Sequence, residues 1–428
     1  MNGAIGHPDL TALWRIEFPR LVATATRITR DPELAEQVAQ DAFVTALEQW
    51  PDQPPERPAA WLMAVTKRRA VDVVRREVTQ SAKYRRMAEE AAMTPDPPVD
   101  ERVDGHLDDD VLRLMFICCH PVLGREARVA LTLRLLGGLS TQEIAMAQLV
   151  SEATAGQRIS RAKRTVREAG IAFETPGLAD QTERLSSVLE VIYLIFNEGY
   201  AASSGDSWTR TDLAGEALRL ARMLSHLMPR VAEAHGLLAL MEIQASRFAA
   251  RVGPDGPVLL EDQDRMKWDR LLIRRGLTGL ERARRLGGGP YTDQAAIAAS
   301  HARAVTAEQT DWAEIARLYD AYALRHPGPV VELNRAIAHW KVEGTQAARS
   351  ILEPLLTDPR VAESHLLRTV LAELAIADGR TDEARAHLRA ALGLTRSGPD
   401  RIVIAAKLAR IESAGTDHPH TTPERNAP

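Results

Sequence analysis

The sequence predicts an all-α protein, and three observations carry that reading. Aromatic residues make up only 4% of the 428 positions, so the cores must be built from Leu, Ala, Val and Ile, which suits helix packing better than sheet packing. Apolar residues recur at helical spacing along most of the chain, and no convincing strand pattern interrupts them. Short β-branched groups such as Val71, Val73 and Val74 fall inside that helical periodicity. Length alone predicts several domains, at roughly 100–200 residues each.

The net charge is −4, so the chain as a whole is no polycation. Any affinity for phosphate must come from locally segregated charge. The two cysteines, Cys118 and Cys119, are adjacent. Neighbouring cysteines make no ordinary structural disulfide and have no metal-site spacing here. They read as small core residues in a reducing compartment. The N-terminus lacks a basic-then-apolar leader, and no run of about 18 apolar residues occurs, so no membrane span and a cytoplasmic location are expected. There is no H-E-x-x-H motif, and Gly287-Gly288-Gly289-Pro290 lacks the lysine of a phosphate loop. No catalysis, metal or cofactor is expected from this chain.

Residues 8–80 read as a first helical domain. Asp31-Pro32-Glu33 opens a helix: Asp caps, Pro suits the first turn, and Glu favours the positive end of the dipole. That helix runs to about Trp50, with Leu34, Val38 and Ala42 on one face and Glu36 and Gln40 on a more polar one. A proline-rich turn follows (Pro51, Pro54, Pro55, Pro58). The next helix, from Trp61 through Arg76, places Leu62, Val65 and Val73 on one face and Arg68, Asp72 and Arg75 on another. Basic side chains beside an aromatic ring suit melted DNA, with cations on phosphates and the ring on unpaired bases.

Residues 81–106 read as a flexible polar linker, with Pro95, Pro97 and Pro98 among acidic residues. Residues 107–170 read as a second helical domain. There Gly137-Gly138 ends an apolar helix. Ser140-Thr141-Gln142-Glu143 forms a capping box, Leu149-Val150 makes a turn, and Ser151 caps a basic amphipathic helix through Glu168. Its buried stripe is Ile159, Ala162 and Val166, and Arg158, Arg161, Lys163 and Arg164 carry its positive charge. A short capped helix, a tight turn and a basic helix form the helix-turn-helix that enters a major groove. Gly156 inside that helix costs about 1 kcal/mol against Ala, which a close approach to DNA or to another helix would explain.

These segments together resemble the extracytoplasmic-function (ECF) class of sigma-70 RNA polymerase sigma factors. Ala35 to Phe43 resembles region 2.2, and the resemblance implies that Glu36, Gln37, Gln40, Asp41 and Phe43 contact core polymerase. Gln37 stands where the family usually has an acidic residue, and Asp41 where Glu is common. Pro58 to Arg76 looks like regions 2.3 and 2.4, which implies −10 contacts by Trp61, Lys67, Arg68, Arg69, Asp72, Arg75 and Arg76. Ser140 to Glu168 is similar to region 4.2. It implies −35 contacts by Ser151, Glu152, Thr154, Gln157, Arg158, Arg161, Lys163 and Arg164. The implied partners are RNA polymerase core, duplex promoter DNA and the melted −10 strand. Three other readings remain open: an operator-binding helix-turn-helix regulator that needs no polymerase, a repeat scaffold whose basic helices are only surface, and an enzyme in the extension fused to a DNA-binding module.

The family usually ends soon after its second domain, whereas this chain continues. Residues 176–412 read as a helical extension, and residues 413–428 as a disordered tail. Gly344 and Gly379 precede similar helices about 35 residues apart, near the ~34-residue period of tetratricopeptide repeats. Pro229 to His235 resembles Pro359 to His365. The extension resembles those of a sigma subgroup in which it takes part in regulation, which implies a regulatory protein or ligand as a partner. Two of its segments stand out: the aromatic stretch from Tyr193 to Ser204, and the charged Leu259 to Asp269.

Overall fold

The computed structural model describes residues 10–51, 55–88, 107–200, 211–253, 256–395 and 398–416. Among them the protein is all-α apart from one two-residue hairpin, Val252–Gly253 against Gly256–Pro257. The first helices are α1 (Leu10–Thr29), α2 (Pro32–Gln49), α3 (Pro58–Ala88), α4 (Leu107–Cys118), α5 (Arg125–Leu135), α6 (Thr141–Gln148), α7 (Glu152–Glu168), α8 (Leu178–Tyr200) and α9 (Thr211–Leu227). They are followed by α10 (Ala232–Ala245), α11 (Arg270–Arg285), α12 (Pro290–Arg303), α13 (Trp312–Arg325) and α14 (Pro329–Glu343). The chain closes with α15 (Thr345–Leu352), α16 (His365–Ala377), α17 (Thr381–Leu394) and α18 (Gly398–Thr416).

The chain divides into two compact units: residues 1–196 with 219–228, and residues 197–218 with 229–428. In the first unit α1 packs on α2, α3 and α4, and α5, α6 and α7 pack on one another. Phe18, Leu21, Leu62, Phe116, Leu131 and Ile144 are fully buried. The helix α8 begins at Leu178, and through Phe196 it belongs to this unit. Ser187 donates to the Cys119 carbonyl and accepts from Arg128. The extension expected from residue 176 therefore starts with a helix that is partly built into the first unit.

Two expected boundaries shift. The linker expected from residue 81 begins as helix, because α3 continues to Ala88; Ser81 to Ala88 holds no Gly or Pro and is rich in helix formers. Residues 89–106, with the prolines of the linker, lie outside the described residues. The tail expected from 413 is helical to Thr416, and the rest lies outside the described residues.

Cys118 and Cys119 are both buried, and burial pushes the Cys119 thiol up to about 12. Its sulfur lies 3.5 Å from the Thr132 hydroxyl. Thiolate is the reactive form, so both should resist a disulfide reagent at pH 8 in the native protein and react after unfolding, a difference that absorbance at 412 nm reads directly.

The second unit packs neighbour on neighbour, α10 on α11 and α12, α13 on α14, α14 on α15, α16 on α17 and α17 on α18. That is how repeat arrays bury their faces. Leu333, Leu352, Leu367 and Leu374 share one core cluster. Gly344 and Gly379 each take a positive φ, 92° and 72°, as one helix stops and the next begins, so their 35-residue spacing corresponds to a recurring corner. The likeness of Pro229–His235 to Pro359–His365 does not give a recurring structure. Ala232 starts α10 directly, whereas the Asp358 carboxylate accepts from Arg360 N–H and holds a turn, so that α16 starts only at His365, capped by Ser364.

Candidate functional site

The helix-turn-helix forms as its caps dictate. Ser140 accepts from Glu143 N–H while the Glu143 carboxylate accepts from Ser140 N–H, a complete capping box for α6. Leu149 ends α6 in the left-handed region, φ 54°. Ser151 then caps α7 by accepting from Thr154 N–H. Ala155, Ile159, Ala162 and Val166 form the buried stripe of α7. Ser151, Glu152, Thr154, Gln157, Arg161 and Arg164 are exposed. A concavity of about 300 Å³ between Val122–Ala127 and α7 is lined by Thr154, Gln157, Arg158 and Arg161.

Two of the basic candidates on α7 have partners on other helices. Arg158 pairs with Glu126 at 2.5 Å and donates to the Gln148 side chain at 2.7 Å. Lys163 lies 2.5 Å from the Glu36 carboxylate on α2. Arg134 on α5 meets the other oxygen of Glu36, also at 2.5 Å. Glu36 therefore sits at the centre of a buried triad of one anion and two cations. Next to it, Arg167 reaches Asp31 at 3.3 Å, Arg27 pairs with Asp110 at 2.9 Å, and the Trp14 indole donates to the Gly138 carbonyl at 2.8 Å. Gly138 has φ 67°, and a Cβ there would lie 2.7 Å from the Trp14 nitrogen, so only glycine fits.

Gly156 has a different reason. A Cβ on it would meet only Thr141 Cγ2, at an ordinary 3.6 Å, so no neighbouring helix requires the glycine. Gly156→Ala is expected to raise stability by up to about 1 kcal/mol, read as a higher midpoint in thermal unfolding.

On α2, Gln37 is exposed, Gln40 donates to Glu36 at 2.9 Å, and Phe43 is buried edge-on to Trp14. Asp41 meets Arg69 of α3 at 3.3 Å, and Arg69 also donates to the Thr45 hydroxyl. Trp61 is half-buried against Trp50, ring centroids 5.5 Å apart. Lys67 is half-buried, and Arg68, Asp72, Arg75 and Arg76 face solvent. The fold thus brings Glu36, Gln40 and Lys163 together, and Asp41 with Arg69. It leaves an exposed stripe on α3 and another on α7. Sequence reasoning did not single out Trp14, Arg134 or Arg167, which join α1, α5 and α7 to the site; nothing local to them signals a partner far along the chain.

Comparison with known proteins agrees with this architecture. Residues 13–79 match sigma-70 region 2, and residues 113–166 match sigma-70, region 4. The chain is 31% identical over 139 residues to the "ECF RNA polymerase sigma factor SigK" of Mycobacterium sp. (strain KMS), covering 68% of that protein and 31% of this chain. The chain belongs to the sigma-70 family, in its ECF class. This sigma factor is also 31% identical over 170 residues to the "Probable ECF RNA polymerase sigma factor SigI" of Mycobacterium tuberculosis, covering 39% of this chain and 57% of that one. Residues 184–284 of the sigma factor match a family of unknown function (DUF6596). It is 43% identical over 397 residues to "Uncharacterized protein R00370" of Rhizobium meliloti, 92% of this chain and 93% of that one, so that likeness runs through the extension as well. No described helix is long and apolar enough to cross a membrane, and no described group of His, Cys, Asp and Glu is placed to hold a metal ion.

Proposed function

We propose that this sigma factor binds RNA polymerase core through α2, with Gln37, Gln40 and Asp41 at the contact, and opens the −10 element with the basic face of α3. In this reading α7 enters the major groove of the −35 element. Thr154 and Gln157 near its N-terminus meet base edges, and Arg161 and Arg164 meet base edges or phosphates. The extension tunes activity through a partner or ligand. The observation that carries the reading is the capped α7, whose polar and cationic side chains stay exposed while its apolar stripe is buried. Transcription chemistry belongs to the polymerase, so no catalytic residue is required of this chain.

Run-off transcription with purified core polymerase tests it, on the promoter upstream of the protein's own gene and on others. The full chain is compared with one ending at Met228, which keeps every residue of the first unit. Core-dependent transcripts from either support the reading, and the difference between them gives the sign of the extension's effect. Duplex binding without any core binding would instead favour an operator-binding regulator.

A further inference from the structure

The two segments of the extension that stood out in sequence meet in the second unit around three arginines, of which Arg251 and Arg265 are buried and Arg247 is half-buried. Tyr200 ends α8, and Arg265 and Trp268 lie in the turn before α11. Arg247 and Arg251 follow α10. The Arg251 guanidinium lies 3.8 Å from the centre of the Tyr200 ring, and Arg247 donates to the Tyr200 hydroxyl. Arg247 and Arg265 flank the Trp268 ring at 5.9 and 5.0 Å. Arg251, Arg265 and Trp268 are buried, at 8%, 5% and 3% exposure.

Arginine stays charged in any protein setting, and a buried cation without an anion is costly. Arg265 spends its terminal nitrogens on structure, donating to the carbonyls of His301 and Ala304 and to the Thr310 hydroxyl. Its Nε, the Nε of Arg247 and the indole N–H of Trp268 have no acceptor among the described residues. No carboxylate among the described residues pairs with Arg247 or Arg265; Glu308, whose charge reaches Arg265, is fully exposed. The aromatic faces offset part of this charge, but a ring accepts no hydrogen bond of carboxylate strength. The field is felt next door, where burial together with Arg247 and Arg265 pushes the His301 imidazole down to about 4, leaving it neutral.

We propose that Arg247, Arg265 and Trp268 form a binding site in the extension for a small oxyanion, the phosphate or carboxylate group of a ligand. Three unfilled N–H donors on two cations and an indole match an oxyanion's acceptors. Tyr200 and Trp268 are too enclosed to serve as stacking platforms for a base, so the anionic group itself is what the site recognises. The inference concerns the second unit alone and does not depend on promoter binding by the first.

The test is thermal unfolding of the full chain in rising inorganic phosphate, against sodium succinate and against sodium chloride at equal ionic strength. The Arg247→Gln and Trp268→Phe variants are run alongside, with Arg274→Gln, an exposed arginine of α11, as the control. A saturable midpoint rise of about 3–5 °C at ten times the half-saturating concentration is expected. It should be lost in Arg247→Gln, reduced in Trp268→Phe, which keeps the ring but drops the donor, and unchanged in Arg274→Gln. A larger response to phosphate than to succinate identifies a phosphate group, and the reverse a carboxylate. An equal rise in wild type and Arg247→Gln would be general salting-out and would overturn the proposal, as would no saturable rise with either anion. Should Arg247→Gln fail to fold, Trp268→Phe decides by the same comparison.

Discussion

Glu36→Ala is expected to destabilise the first unit by about 3–5 kcal/mol, the usual cost of removing one partner from a buried ionic group. At roughly 2–4 °C per kcal/mol for a unit of this size, its unfolding midpoint should fall by about 6–20 °C. The side chain of Glu36 is 4% exposed, and those of Lys163 and Arg134 are 12% and 21% exposed. Without the carboxylate, two cations face each other in a space that water barely reaches. Replacing all three at once, Glu36→Leu with Arg134→Met and Lys163→Met, is expected to return most of the loss, because apolar side chains of similar volume often match a buried ionic triad. Calorimetry of the single and triple variants checks both signs. A loss below about 1 kcal/mol in the single variant would mean that solvent screens the group as it screens surface pairs.

Arg161→Ala is expected to weaken binding to a −35 duplex by about 5- to 150-fold, the worth of roughly 1–3 kcal/mol for a side chain reading base edges. Arg161 is exposed, and no ion pair among the described residues holds it back. Arg164, held only by an exposed contact to Glu168 at 3.8 Å, should behave differently. Its replacement should weaken binding to all sequences alike and lower the salt slope of the affinity by about one. Fluorescence anisotropy on specific and scrambled duplexes across a salt series separates the two. An Arg161 variant with unchanged preference for the specific duplex would remove Arg161 from base recognition and leave it a phosphate contact at most.

The parts of the molecule legible in the sequence were those governed by near neighbours. The Asp31 cap, the Ser140 box, the Ser151 cap and the buried stripe of α7 all follow from residues within a turn or two of one another. The corners at Gly344 and Gly379 were legible for the same reason. Glu36 was not: its spacing placed it on a polar face, yet it is buried because Arg134, 98 positions away, and Lys163 come to it. Periodicity reports which face is polar and not what will cover it. The backbone cost of Gly156 suggested a close approach by DNA or by another helix, and within the fold a Cβ there would meet only Thr141 Cγ2 at an ordinary 3.6 Å. The arginines around Trp268 were equally hidden. Each looks like an ordinary surface charge until the turn before α11 folds them together.

The contact between Lys163 and Glu36 has a thermodynamic consequence for the whole molecule. The Glu36 carboxylate holds the Lys163 ammonium and the Arg134 guanidinium at once, so Lys163 can reach an outside phosphate only by leaving its carboxylate to Arg134 alone. In the proposed reading, a phosphate that takes Lys163 leaves Glu36 with Arg134 as its remaining cation, and a partner that engages Glu36 loosens its hold on Lys163. Such linkage is reciprocal: whatever factor one ligand adds to the affinity of the other is returned in full. If both contacts form as proposed, this shared carboxylate would make the two binding events cooperative and penalise each in isolation.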